Sequence, residues 1–138
     1  MKKTSRVSVI LLMLNCGIHD NTVNKETAEK NTTPEKYEEN LRSIIKLAKS
    51  GAADVIWVTT TPLSEKQGTF NEGLEEYNAI AARIMAENNI FIIDLHNITK
   101  AYAETVDELT RDQLHFKDEV CARQGADIAK IILDKYYK

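Results

Sequence analysis

Apolar positions along the 138-residue chain fall into two kinds of pattern that alternate. Short continuous runs are separated by longer stretches with helical spacing. Val7 to Leu14 is a run of the first kind, bounded by polar residues, and it reads as a buried parallel strand. It ends in Asn15-Cys16-Gly17-Ile18-His19-Asp20, a loop dense in reactive side chains. Residues 21–32 show no apolar period and read as an exposed loop. A helix is predicted next, because Thr32 followed by Glu35 fits a capping box and Pro34 suits a first turn. Tyr37, Leu41, Ile44, Ile45 and Ala48 form its apolar stripe. Lys46 and Lys49 suit the C-terminal dipole, and Gly51 suits a left-handed cap.

The second run, Asp54 to Thr60, is rich in β-branched residues and halts at Thr61-Pro62. Leu63 to Phe70 reads as a polar loop. A second helix is predicted from Glu72 to Asn88, capped by Asn71, with Leu74, Tyr77, Ala81, Ile84 and Met85 inward. Ile90 to Ile93 reads as a third strand, closed by Asp94. Short helical turns fill Asn97 to Leu109. A last helix lies between Asp118 and Tyr137, with Cys121, Gly125, Ile128, Ile132 and Tyr136 marking its inner face.

Strands alternating with helices predict a three-layer α/β/α domain whose parallel sheet is covered on both sides, with right-handed crossovers. The chain is long enough for one such domain, 1–138. Ligands of these folds bind beyond the carboxyl ends of the strands. Asn15 to Asp20, Thr59 to Pro62 and Asp94 to His96 all fall there.

Composition adds exclusions. A hydrophobic fraction of 43% and a charged fraction of 28% are ordinary for a globular protein. A net charge of −3 without a Lys/Arg cluster argues against a nucleic-acid partner. Lys2 and Lys3 before the first apolar run imitate a short secretory signal, but Ser8 interrupts the run and Asn15 precedes the cysteine. The run is too short to span a membrane, and the strand reading is preferred, which leaves the compartment open. Cys16 and Cys121 match no metal spacing and no disulfide framework, and are expected as isolated, largely buried thiols. The three His with scattered carboxylates make no metal site at this spacing, and no cofactor is implied.

Candidate chemistry centres on Arg111-Asp112-Gln113-Leu114-His115-Phe116. An Asp three residues before a His can fix its tautomer and support it as a general base. The plainer reading makes Asp112 a turn cap and His115 a surface residue. Trp57 is expected in the core and His96 at the surface. Thr59 to Thr61 either line a pocket or simply end a strand.

Taken in order, these blocks resemble the SGNH (GDSL-like) hydrolases. Gly17-Ile18-His19-Asp20 is similar to that family's Gly-x-Asn-Asp block, and Asp112-Gln113-Leu114-His115 to its Asp-x-x-His block. Tyr37 with Asn40-Leu41, Ile56 to Pro62, Tyr77-Asn78 and Ile93-Asp94-Leu95 follow the family's order. The resemblance implies a flavodoxin-like sheet and hydrolysis of small-molecule carboxylic esters, including carbohydrate esters. It makes His115 the base and Asp112 its orienting acid. His19 stands where the family has an Asn oxyanion donor, with Gly17 and Asn15 beside it. The family's Gly-Asp-Ser nucleophile block is missing, and Ser5 and Ser8 lie at the wrong end of the first strand. The first two family strands are therefore expected to be missing as well, and the domain to be incomplete at its N-terminus. Three explanations stay open: a piece of a full hydrolase, a shortened inactive relative that binds a ligand or partner, or an enzyme using Cys16. In each case Val7 to Leu14 becomes an unprotected edge strand, which implies low solubility, pairing of two chains through that edge, or a missing N-terminal segment.

Overall fold

The computed structural model describes residues 11–52 and 54–137. Three strands form one parallel sheet in the order β1 (Leu11–Leu14), β2 (Asp54–Val58), β3 (Phe91–Ile93). Leu12 pairs with Val55 and Leu14 with Trp57, while Trp57 pairs with Ile92 on its other side. Strand side chains alternate between faces. One set, Leu12, Leu14, Val55, Trp57 and Ile92, packs against α2 (Pro34–Gly51) and α3 (Gly68–Glu87). The other set, Leu11, Ile56, Val58 and Ile93, packs against α4 (Leu95–Lys100) and α5 (Asp118–Tyr136). The three-layer arrangement follows. The N-terminal part of the first predicted strand, Val7 to Ile10, lies outside the described residues, as do Ser5 and Ser8.

Several predicted boundaries move, each for a local reason. The N-cap of α2 is Thr33, whose hydroxyl accepts from the Lys36 N–H at 3.3 Å, and not Thr32. Pro34 then occupies the first helical position, where its missing N–H costs nothing. Gly51 is the last helical residue and is followed by extended Ala52, so no left-handed cap forms there. Helix α3 begins at Gly68, not Glu72. Asn71 is no cap: its side chain accepts from the Leu63 N–H and donates to the Leu63 and Ser64 carbonyls, folding residues 63–70 onto the helix. The stretch 15–20, expected as loop, contains a single helical turn, α1 (Ile18–Asn21). Helix α5 packs Ile128 and Ile132 against the sheet as predicted, but its first turns place Val120 and Gln124 inward, one position off the predicted face. Cys121, Gly125 and Tyr136 are exposed. Cys121 is therefore not the buried thiol expected.

Candidate active site

The Asp112/His115 loop is built by its ends. Thr110 and Phe116 form a bridge, and the Arg111 N–H donates to the His115 carbonyl at 2.8 Å. Phe116 is buried with Leu109, Val106 and Val120, which anchors the loop. Gln113 adopts φ 69°, and its carbonyl accepts from the Ser64 N–H at 3.1 Å, tying the loop to the segment after β2. Within the loop, Asp112 Oδ1 accepts from the N–H groups of Leu114 (3.1 Å) and His115 (2.7 Å), as in an Asx turn. The second carboxylate oxygen, Oδ2, lies 2.8 Å from His115 Nδ1.

An ionised carboxylate only accepts, so neutral His115 must carry its proton on Nδ1 and leave Nε2 as an acceptor. The His115 N–H, its ring, and the Leu114 N–H together hold the Asp112 carboxyl well below the usual carboxylate range. Asp112 stays ionised at any pH where His115 could act as a base. One carboxylate thus caps the turn through Oδ1 and contacts the His115 ring through Oδ2. Both side chains are solvent-exposed, at 55% and 61%. His115 Nε2 makes no hydrogen bond among the described residues.

A second polar group sits at the carboxyl ends of β1 and β2, and Thr60 is its hub. The Thr60 N–H donates to Asn78 Oδ1 at 2.9 Å, and its carbonyl accepts from Asn78 Nδ2 at 2.9 Å and lies 2.9 Å from His96 Nδ1. The Thr60 hydroxyl donates to the Cys16 carbonyl at 2.9 Å. Asn15 Nδ2 donates to the Val58 carbonyl (2.7 Å) and to the Thr60 hydroxyl (3.3 Å). The chain turns from β1 into α1 at Gly17, where φ is 141°. The backbone there favours glycine, and a Cβ would stand 3.1 Å from Thr60 Oγ1, a tight contact. The next residue but one, His19, is exposed, and its carbonyl accepts from Asn31 Nδ2 at 3.0 Å.

The structure thus joins Asn15 and Gly17 through Thr60 and places His19 on the adjoining turn. It places Asp112 and His115 on a separate loop, and no hydrogen bond links the two groups among the described residues. A hollow of about 260 Å³ opens at the strand ends between Met13, Asn15, Ile18, Thr61, Leu95 and Ile128. His96 is not a surface residue: it is 7% exposed, because its ring completes the Thr60 carbonyl and its N–H donates to Thr59 Oγ1 at 2.9 Å. His96 had no chemical signature in the sequence beyond following a strand end, and Asn78 none beyond the Tyr77-Asn78 block on the second predicted helix. Cys16 is a poor nucleophile here. Burial pushes its thiol pKa up, and the thiol lies against the Tyr37 hydroxyl, 3.7 Å away. Trp57 is in the core as expected, 1% exposed. No group of three or more His, Cys, Asp or Glu suited to a metal occurs among the described residues. No described helix is long and apolar enough to cross a membrane.

A model of the GDSL-like lipase/acylhydrolase family matches residues 4–123. No curated protein matches. Among solved structures, a lipase/acylhydrolase from Enterococcus faecalis is similar, with a TM-score of 0.72 and 24% identity. The match covers 89% of this chain and 60% of that one. An acetylxylan esterase from Geobacillus stearothermophilus gives a TM-score of 0.68 at 20% identity, covering 84% and 57%. An α/β hydrolase from the metagenome of Lake Arreo gives 0.70 at 15%, covering 83% and 57%. The chain therefore spans less than two thirds of the length of each. Described catalytic mutants of the G. stearothermophilus esterase replace an Asp, a His three positions after it, and a Ser near that chain's start.

Proposed function

The chain belongs to the GDSL-like lipase/acylhydrolase family, and from that membership we propose that it serves in the hydrolysis of carboxylic ester bonds in small or carbohydrate esters. His115 is the general base and Asp112 its orienting acid. The observation that carries this reading is the 2.8 Å contact between Asp112 Oδ2 and His115 Nδ1. The same Asp-to-His spacing separates two residues altered in catalytic mutants of the G. stearothermophilus acetylxylan esterase.

In the proposed step, His115 Nε2 takes the proton of an attacking hydroxyl as its oxygen adds to the ester carbonyl. The imidazolium that forms is stabilised by Asp112. As the tetrahedral intermediate collapses, that proton passes to the leaving alkoxide. Donors of Gly17 and His19 are suited to the oxyanion, since Asn15 and the Thr60 hub hold their turn in place. Among the described residues no hydroxyl is bonded to His115, so the nucleophile comes from elsewhere or the attacking group is water. This absence also favours a second reading, in which the domain binds esters or a partner without turning them over.

Turnover of p-nitrophenyl acetate separates the two. The catalytic reading expects a rate above that of both His115→Ala and Asp112→Asn, each lower by roughly tenfold or more. A rate equal to both variants would leave the binding reading.

A further inference from the structure

We propose that Asp107 is a positioning residue for His115: together with Ser64 it clamps the Asp112/His115 loop to the segment that follows β2. The proposal deepens the reading of Asp112 and His115 as orienting acid and base, and it rests on that reading.

Residues 111–115 are all exposed, so burial of their own side chains does little to fix their backbone. The base of the loop is closed by the Thr110–Phe116 bridge, but its tip is held differently. Gln113 adopts φ 69°, a left-handed conformation that a residue with a Cβ keeps only when its surroundings hold it. Its carbonyl accepts from the Ser64 N–H at 3.1 Å, the backbone bond that joins the loop to a distant segment among the described residues. Asp112 and His115 flank that tip, and Asp112 Oδ1 reaches across it to the Leu114 and His115 N–H groups. A displaced tip therefore carries the carboxylate and the ring with it, and small misplacements of such groups are costly.

Ser64 is a rigid donor. It is 0% exposed, and its carbonyl accepts from the Gln67 N–H at 2.9 Å and from Asn71 Nδ2 at 3.0 Å. Its hydroxyl accepts from the Lys66 N–H at 3.3 Å and donates to the Asp107 carboxylate. The neighbouring Glu65 N–H donates to Asp107 Oδ1 at 2.9 Å. Asp107 lies in the turn Val106–Glu108 that leads into the loop, where Val106 and Leu109 are buried with Phe116. Two adjacent amides, those of Ser64 and Glu65, thus grip the loop at its tip and just before its base. The Ser64 hydroxyl, and then the Glu65 N–H and the Lys66 charge, hold the Asp107 carboxyl below the usual carboxylate range, so it accepts as the anion at neutral pH.

The test reads the His115 tautomer by long-range proton–nitrogen NMR, and amide hydrogen exchange, in the native 138-residue chain, Asp107→Ala, Asp107→Asn and Asp112→Ala. Asp107→Ala should speed exchange at the Ser64 amide by roughly tenfold while Ile56 and Trp57 exchange as in the native chain. It should also lower the ratio of Nδ1–H to Nε2–H His115 by roughly threefold. Asp107→Asn keeps an acceptor for the Glu65 N–H and should recover part of both effects. A native tautomer ratio in Asp107→Ala, alongside a shifted ratio in Asp112→Ala, would overturn the proposal and leave the Asp112/His115 reading standing. A ratio unmoved by Asp112→Ala as well would sink that reading, and the proposal with it. Loss of the fold in both Asp107 variants would also overturn the proposal, by making Asp107 a folding residue.

Discussion

One amide on α3 fixes both backbone groups of Thr60 where β2 ends: Asn78 Oδ1 accepts from the Thr60 N–H, and Asn78 Nδ2 donates to its carbonyl, each at 2.9 Å. Through the Thr60 hydroxyl the same side chain governs the Cys16 carbonyl and the Gly17 turn. Asn78→Ala leaves the Thr60 N–H without its partner at a buried site, and a loss of about 2–3 kcal/mol in denaturant unfolding is expected. Asn78→Asp keeps the acceptor and should cost less. Equal losses for the two variants would contradict the two-sided contact.

Gly73 lies on α3 beside Asn21 of α1, and a Cβ there would fall 2.1 Å from Asn21 Oδ1. Asn21 is 2% exposed and donates to the Phe70 carbonyl at 2.7 Å, so it has little room to yield. Gly73→Ala is expected to destabilise by about 1–3 kcal/mol, against the usual gain in helix propensity. Gly68→Ala and Gly125→Ala, with open space at the added Cβ, should be neutral or stabilising. Thermal melts of the three variants check this ordering.

A surface network joins α2 to α3. Glu38 meets Arg83 at 2.6 Å and Arg42 at 2.8 Å, and Arg42 also reaches Glu87 at 2.6 Å. Hydrogen bonds from Arg83 and then Arg42 lower the Glu38 pKa to about 2. A depressed carboxylate pKa means stability that is present above the unfolded value, near 4.3, and lost as the pH falls toward 2. Melting temperature should therefore fall between pH 5 and pH 2, and Glu38→Gln should flatten part of that fall. High salt should mimic the variant, because the network is exposed and screened. An unchanged acid limb in Glu38→Gln would contradict the assignment.

The layers, the three strands and the Asp112/His115 pair were legible in the sequence because each rests on local pattern: β-branched runs, helical spacing, an Asp-x-x-His quartet. What was not legible came from tertiary contact. His96 follows a strand end and reads as exposed, yet the Thr60 carbonyl draws it inside. Asn71 has the chemistry of a cap but serves the Leu63–Ser64 turn instead. Helix α5 shows Gln124 inward because Thr99 Oγ1 accepts from it at 2.9 Å, a polar partner that no apolar stripe could reveal. The candidate site divides the same way. Its Asp/His element is local, whereas the Thr60 hub that organises Asn15 and Gly17 draws on β2, α3 and α4.

The proposed catalytic role requires Asp112 to fix His115 in the form of a general base, with the proton on Nδ1 and Nε2 open. Long-range proton–nitrogen NMR of the His115 ring at neutral to alkaline pH reads this directly. The Nδ1–H tautomer is expected in the native chain, with a shift toward Nε2–H, the common solution form, in Asp112→Ala. A native His115 found as the Nε2–H tautomer, or a tautomer unaffected by Asp112→Ala, would contradict it.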